Sequence, residues 1–260
     1  MTEYIYGRHP VFEALRARRR VFEKLLLARN TQGDLVRRIE SLAASLGVPV
    51  ERVEHKVLED LVGRNAVHQG VVLLCGEKKG LSWKDLLGST RNRRDALVLF
   101  VDRVEDPRNL GAIIRTAAFF GVDGVVVSKA RSAPLDAQAV KAAAGGLEVA
   151  EVIQVNNFTE IVRAFREEGF IIVGLEVDGE QCIWDIDPGP FPVGLVVGGE
   201  HEGIRRIVRS LCDYTVQIPG KGPVSSLNVS VATGIALYEV IRRRNPLGRL
   251  ENIPERHRIG

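Results

Sequence analysis

At 260 residues with 45% hydrophobic content, the chain can bury one sizeable core and a second small one, so two domains are expected. No apolar run approaches the roughly 20 residues that span a bilayer. The stretch MTEYIYGRHPVFEALRARRR has neither the apolar segment nor the cleavage site of a secretory leader, and a cytoplasmic protein is expected.

The net charge of +3 hides an asymmetry: residues 1–95 carry 18 Lys and Arg against 12 Asp and Glu, and the remainder 18 against 21. Arg16, Arg18, Arg19 and Arg20 cluster at the end of a first helical stretch; Lys78, Lys79, Lys84, Arg91, Arg93 and Arg94 crowd a later connector. Such clusters are either solvated faces that complement helix ends or a surface for a polyanion, whose counterions they displace. Cys75, Cys182 and Cys212 lie far apart with no CxxC spacing, which disfavours zinc and redox motifs and points to reduced structural thiols.

In chain order, Pro10 suits a helix entry after His9, and Val11, Phe12, Leu15 and Ala17 have helical spacing. KLLLA (24–28) reads as a strand, DLVRRIESLAASLG as a helix ended by Gly47, PVERV as a strand, KVLEDLVG as a short helix and GVVLLC (70–75) as a strand. Residues 1–76 thus form a small α/β unit. From GEKKG to Asp95 little periodicity persists, and 77–95 reads as a linker. From Ala96 the strands ALVLFVD, GVVVS, FIIVGLEV, VGLVVGGE and YTVQIPG alternate with helices at NLGAIIRTAAFF, AQAVKAAAGG, TEIVRAFREEG, GIRRIVRSL and Ser226 to Arg244. This predicts an α/β domain over 96–260 with a mainly parallel sheet covered on both faces.

Ligands collect at the carboxyl ends of such strands. The dinucleotide fingerprint GxGxxG and the GxxxxGK[ST] phosphate loop are missing there, so an ordinary NAD enzyme or ATPase is disfavoured. Three polar, glycine-rich stretches do stand at strand ends: FVDRVEDPRNLGAIIRTA, LVVGGEHEGI and IPGKGPVSSLNVSVATGIALYEV. In the first, Asn109 is placed to cap a helix that carries Arg115. In the second, Gly198 and Gly199 would open the backbone to a ligand beside Glu200. In the third, Ser225 and Ser226 mark a helix start with Asn228 in its first turn. Gly234 costs about 1 kcal/mol relative to alanine inside that helix, so a close neighbour is expected there.

Together these stretches resemble the SpoU/TrmH family of RNA ribose 2′-O-methyltransferases, within the SPOUT superfamily. Asn109, Gly111 and Arg115 match the first motif, Gly198, Glu200 and Gly203 the second, and Ser226, Leu227 and Asn228 the third. YGRHPVFEAL and AVHQGVV resemble the ribosomal-protein-like substrate-binding domain of bacterial 23S rRNA guanosine methyltransferases, so the resemblance spans nearly the whole chain. GKGPV before SSLN departs from the small or apolar pair common in relatives.

The resemblance implies a carboxyl-terminal trefoil knot, a homodimer, S-adenosylmethionine as methyl donor, no metal, and an RNA substrate, rRNA of the large subunit or tRNA. It implies catalytic roles for Asn109, Arg115, Glu200, Ser226 and Asn228, and cofactor contacts from Leu175, Gly198, Gly199, Ile218 and Leu227. A ribose 2′-hydroxyl must lose its proton during transfer. The resemblance makes Arg115 the general base. Arginine's pKa above about 12 makes that awkward, and the alternative is that Arg115 holds a phosphate and steadies the developing alkoxide, with another group or water taking the proton. A non-catalytic RNA-binding assembly factor is a third possibility, disfavoured by the presence of the full polar set.

Overall fold

In a computed structural model, residues 2–78, 80–187 and 189–244 are described. Lys79 of the basic connector and residues 245–260 of the expected second domain lie outside them.

The apolar runs of the first third build a four-stranded sheet. Its strands are β1 (Thr2–Tyr6), β2 (Phe22–Ala28), β3 (Val50–Val53) and β4 (Val71–Gly76), and the order is β1-β4-β2-β3. β4 runs antiparallel to both β1 and β2, and β2 parallel to β3. Helices α1 (Arg8–Ala17), α2 (Asp34–Ser45) and α3 (His55–Val62) follow β1, β2 and β3. Val11 and Leu15 of α1 pack with Ile39 of α2, Leu25 and Leu27 of β2 and Leu73 of β4 in one core. The sequence reading lacks β1, whose first three residues are exposed and carry no apolar alternation. It also starts α1 two residues late: Gly7, at φ 94°, allows the entry at Arg8.

The connector 77–95 holds a helix, α4 (Trp83–Thr90), entered through a capping box between Ser82 and Asp85. Only Leu86 and Thr90 of it are buried, which is why its period is faint in the sequence. Leu86 packs over Gly124, where a Cβ would come within 2.4 Å of its Cδ2.

Seven strands form the second sheet: β5 (Leu97–Asp102), β6 (Gly124–Ser128), β7 (Val152–Val155), β8 (Ile171–Leu175), β9 (Gln181–Cys182), β10 (Val193–Gly198) and β11 (Tyr214–Gln217). Their order is β7-β6-β5-β10-β8-β11-β9, and every pairing is parallel. Both faces are covered. Leu97, Leu99 and Val101 join one core with Ile113, Ile114 and Leu237, while Val98 and Phe100 join another with Phe158, Phe165 and Leu86. The helices between these strands are α5 (Pro107–Phe120), α6 (Ala137–Ala143), α7 (Gly146–Val149), α8 (Phe158–Glu167), α9 (Arg206–Arg209) and α10 (Val229–Arg244). The short strands β7 and β9 are absent from the sequence reading; β9 has two residues, too few to show a pattern.

Two features of this topology prepare a site. From β5 the chain builds outward through β6 and β7, then returns on the other flank, so the order reverses between β5 and β10. In open α/β sheets ligands bind at such a reversal, outside the carboxyl ends of the two strands, here β5 and β10. Further along, β11 lies between β8 and β9, although those two strands are consecutive in the chain. Their connection crosses the end of β11 at Gly179, where a Cβ would fall 2.2 Å from the Val216 carbonyl carbon. Gln217 Nε2 donates to Gly179 O at 2.9 Å. This strand order is consistent with the expected trefoil knot.

Candidate active site at the carboxyl edge of the parallel sheet

The candidate site begins with the entry to α5. Pro107 occupies the first helical position and Asp106, not Asn109, is the cap: its side chain accepts from Arg108 N at 2.8 Å. Proline at that position fixes the preceding residue as the cap. The Asn109 amide is thereby free for longer-range bonds. Its Nδ2 donates to Glu200 Oε1 at 2.7 Å, and its Oδ1 accepts from Asn228 Nδ2 at 3.0 Å. Glu200 also accepts from Glu105 N at 3.3 Å. Asn228 Oδ1 accepts from Ser230 N at 2.9 Å and Ser230 Oγ at 2.6 Å. One continuous polar chain therefore joins the ends of β5 and β10 to the start of α10.

Glu200 is set by an unusually close turn. Gly199 and Gly203 form a bridge, and Gly203 N donates to Gly199 O at 3.2 Å. A Cβ on Gly198 would fall 2.0 Å from the Gly203 carbonyl carbon, and one on Gly199 2.2 Å from Arg103 O. These two glycines were expected to open the backbone to a ligand. Their side-chain space is instead occupied by the chain's own backbone, and what they permit is the fold of the 199–203 turn against the 103 loop. Ile204 N donates to Glu176 Oε1 at 2.8 Å. Burial pushes the Glu176 carboxyl above its ordinary pKa, opposed by that amide and by Arg209.

Asn228 caps α10, which begins at Val229 rather than at Ser226. Ser225, Ser226 and Leu227 lie in the exposed loop before it. Among the described residues, no hydrogen bond ties 220–227 to the rest of the chain, so its main-chain donors and acceptors are open. Ser226 is thus near Asn228 in sequence but outside the polar chain. Arg115 is also outside it: the side chain is exposed, with no ion-pair or hydrogen-bond partner among the described residues. The backbone of Arg115 is packed tightly, since a Cβ on Gly146 would approach its Cα to 2.9 Å. Gly111 has a matching role toward α6, where a Cβ would meet Ala139 O at 2.4 Å. Gly234, expected to have a close neighbour, meets only Thr116 Cγ2, at 3.5 Å from a Cβ placed there.

The expected cofactor residues share one edge. Register pairs Val197 with Leu175 and Val216 with Leu175, so Leu175, Gly198 and Ile218 stand at the carboxyl ends of three adjacent strands. Leu175 and Ile218 are half-buried against the core, and Leu227 is 49% exposed. Apolar side chains beside open main-chain groups suit an adenosyl moiety, which needs a flat apolar slot and a few hydrogen bonds.

A pair absent from the sequence reading stiffens this edge. Asp102, fully buried at the end of β5, accepts from Arg205 N at 3.2 Å and pairs with its guanidinium at 2.8 Å. That guanidinium also lies 5.6 Å from the Phe158 ring centroid. An aspartate ending an apolar strand run was the signal available for it. Among the described residues, His55, Glu59 and His68 form the one cluster with metal-ligand types, far from this edge in the first domain.

The family described as SpoU rRNA methylase matches residues 96–238, and the one described as RNA 2′-O ribose methyltransferase substrate binding matches residues 4–80. The TrmH family tRNA/rRNA methyltransferase YacO of Bacillus subtilis is 34% identical over 95% of this chain and 98% of its own. The 23S rRNA (guanosine-2′-O-)-methyltransferase RlmB of Vibrio parahaemolyticus is 36% identical over 94% of this chain and 98% of its own. The crystal structure of the SpoU methyltransferase AviRb from Streptomyces viridochromogenes, in complex with AdoMet, superposes with a TM-score of 0.73 at 28% identity, over 94% of this chain and 91% of that one.

Proposed function

The chain belongs to the SpoU rRNA methylase family and is an S-adenosylmethionine-dependent RNA ribose 2′-O-methyltransferase; from that premise we propose that it methylates a guanosine of 23S rRNA. Similarity to RlmB over nearly the full length of both chains, substrate-binding domain included, supports that choice of RNA. The observation that carries the assignment of roles is the unbroken polar chain Glu200–Asn109–Asn228 at the strand-order reversal.

In this reading Leu175, Ile218 and Leu227, with the open main chain of 220–227, hold the cofactor, while Gly198 and Gly199 shape the turn beside it. When bound, S-adenosylmethionine supplies the electrophilic methyl. Glu200 and Asn228 lock the Asn109 amide, leaving one Nδ2 hydrogen on each asparagine for the ribose. Arg115, whose guanidinium has no partner among the described residues, offers a fork for the phosphate beside the target nucleotide and steadies the developing alkoxide, while water takes the proton that the hydroxyl loses. Ser226, exposed on the loop beside Asn228, is available to hydrogen-bond the nucleotide. The chain works in the cytoplasm as a homodimer. An apolar groove between α5 and α10, containing Phe120, Val231, Ile235 and Tyr238, supports self-association, with Val231, Ile235 and Tyr238 exposed beside Ser230 of the polar chain.

Incubation of the protein with tritiated S-adenosylmethionine and either unmodified 23S rRNA transcript or unmodified tRNA tests the proposal. Label on a guanosine 2′-oxygen of the 23S transcript is expected. Label confined to tRNA overturns the choice of substrate.

A further inference from the structure

The first domain is fastened to the second through α7, and α7 rests on the backbone of Arg115. Arg20 lies just beyond α1, and its guanidinium holds Glu148 with two bonds, Nε to Oε2 at 2.8 Å and Nη2 to Oε1 at 3.1 Å. Glu148 is only 8% exposed and Arg20 has a side chain 10% exposed. The same guanidinium donates to Gly76 O at 3.1 Å and pairs with Glu3. Lys78 Nζ donates to Leu147 O at 2.6 Å and Ala150 O at 2.7 Å. Arg19 pairs with Glu151 at 2.6 Å. Gly145, at φ +91°, lets α1 approach so closely that a Cβ there would meet Glu13 Cβ at 3.0 Å. On the other side of α7, Gly146 lies against Arg115, as described above.

A buried, bidentate guanidinium–carboxylate pair is geometrically exacting. This one joins the domain that binds substrate to a four-residue helix beside the proposed phosphate-holding arginine, and no part of it touches the polar chain. We propose that Glu148, gripped by Arg20, is a positioning residue: through α7 the first domain sets where Arg115 meets the RNA that the same domain has bound. The inference rests on the role given to Arg115 in the proposed function. Misplacement of a reacting group by about 1 Å can cost up to about a hundredfold in rate, so a shift of α7 is enough to matter.

Glu148→Gln, Arg20→Gln and the double variant test this in the full-length protein, with labelled S-adenosylmethionine and 23S rRNA transcript. Each single variant is expected to lose about tenfold in kcat with KM for RNA within about twofold. The double variant should fall no further than the worse single, because the two residues act as a unit. Lys78→Met provides a second route to α7. In it, hydrogen exchange at amides 112–118 and 145–150 should rise about tenfold over the parent, with amides of β5 and β10 unchanged. Unchanged kcat in Glu148→Gln, additive losses in the double variant, or unchanged exchange at 112–118 would each overturn the proposal. A parent protein that methylates no RNA would overturn the functional reading and this role with it, whereas an active parent with indifferent variants overturns the positioning role alone.

Discussion

Asn109 and Glu200, 91 residues apart in the chain, share a hydrogen bond of 2.7 Å between Nδ2 and Oε1. The bond joins the turn after β5 to the turn after β10, across the point where strand order reverses. It leaves the asparagine's orientation fixed before any substrate arrives.

Glu200→Gln removes the anion that orients Asn109 while keeping the side chain's shape. An exposed hydrogen bond of this kind contributes about 1 kcal/mol to stability, so thermal unfolding should move little. Methyl transfer should fall about tenfold or more, with affinity for S-adenosylmethionine measured by calorimetry within about threefold of the parent. A large loss of affinity with intact kcat would place Glu200 in cofactor binding instead.

Arg115→Lys preserves charge and discards the planar fork. Since the guanidinium has no partner among the described residues, the melting temperature should be unchanged. A fall in kcat of about a hundredfold is expected, and near-parental turnover in the lysine variant would show that a point charge suffices.

Gly198→Ala places a methyl 2.0 Å from the Gly203 carbonyl carbon, where backbone must move. Overpacking of this sort costs about 1–3 kcal/mol, and the displaced turn carries Glu200 with it, so stability and turnover should fall together. Gly234→Ala is the contrasting case. Its Cβ meets only Thr116 Cγ2 at 3.5 Å, and the helix should gain about 1 kcal/mol. Unfolding by denaturant measures both.

Alkali should destabilise the fold through two thiols, the buried Cys75 and the half-buried Cys212. Burial pushes Cys75 up to about 11 and Cys212 up to about 12 from an ordinary value of 9.0. Each folded thiol therefore keeps its proton where the unfolded chain would lose it. Their contribution to stability is complete below about pH 9 and is lost as pH rises from 9 toward 11 and 12. Unfolding followed across that range should show the decline, and Cys75→Ala should flatten part of it.

Asn109, Glu200 and Asn228 were legible in the sequence because each resumes polarity directly after an apolar strand or opens a long helix. The strand runs of the parallel sheet were legible for the same reason, being buried on both faces. Asp106, not the expected Asn109, caps α5, and the sequence signal for it is Pro107, which at the first helical position makes the preceding residue the cap. The glycines at 198 and 199 announced a close approach correctly, but sequence could not say that the approaching group is the chain's own backbone. Helix α4 and strands β1, β7 and β9 escaped because they are short or mostly exposed, and contacts distant in the chain fix them. The Arg20–Glu148 pair, 128 residues apart, had no local signature at all.

Because the polar chain draws on Asn109, Glu200 and Asn228, it cannot assemble until the chain has been made as far as Asn228. A chain ending before Asn228 contains every strand and helix of the first domain but lacks one of the three members of the polar chain. Termination late in this gene should therefore abolish methyl transfer even where both sheets are complete.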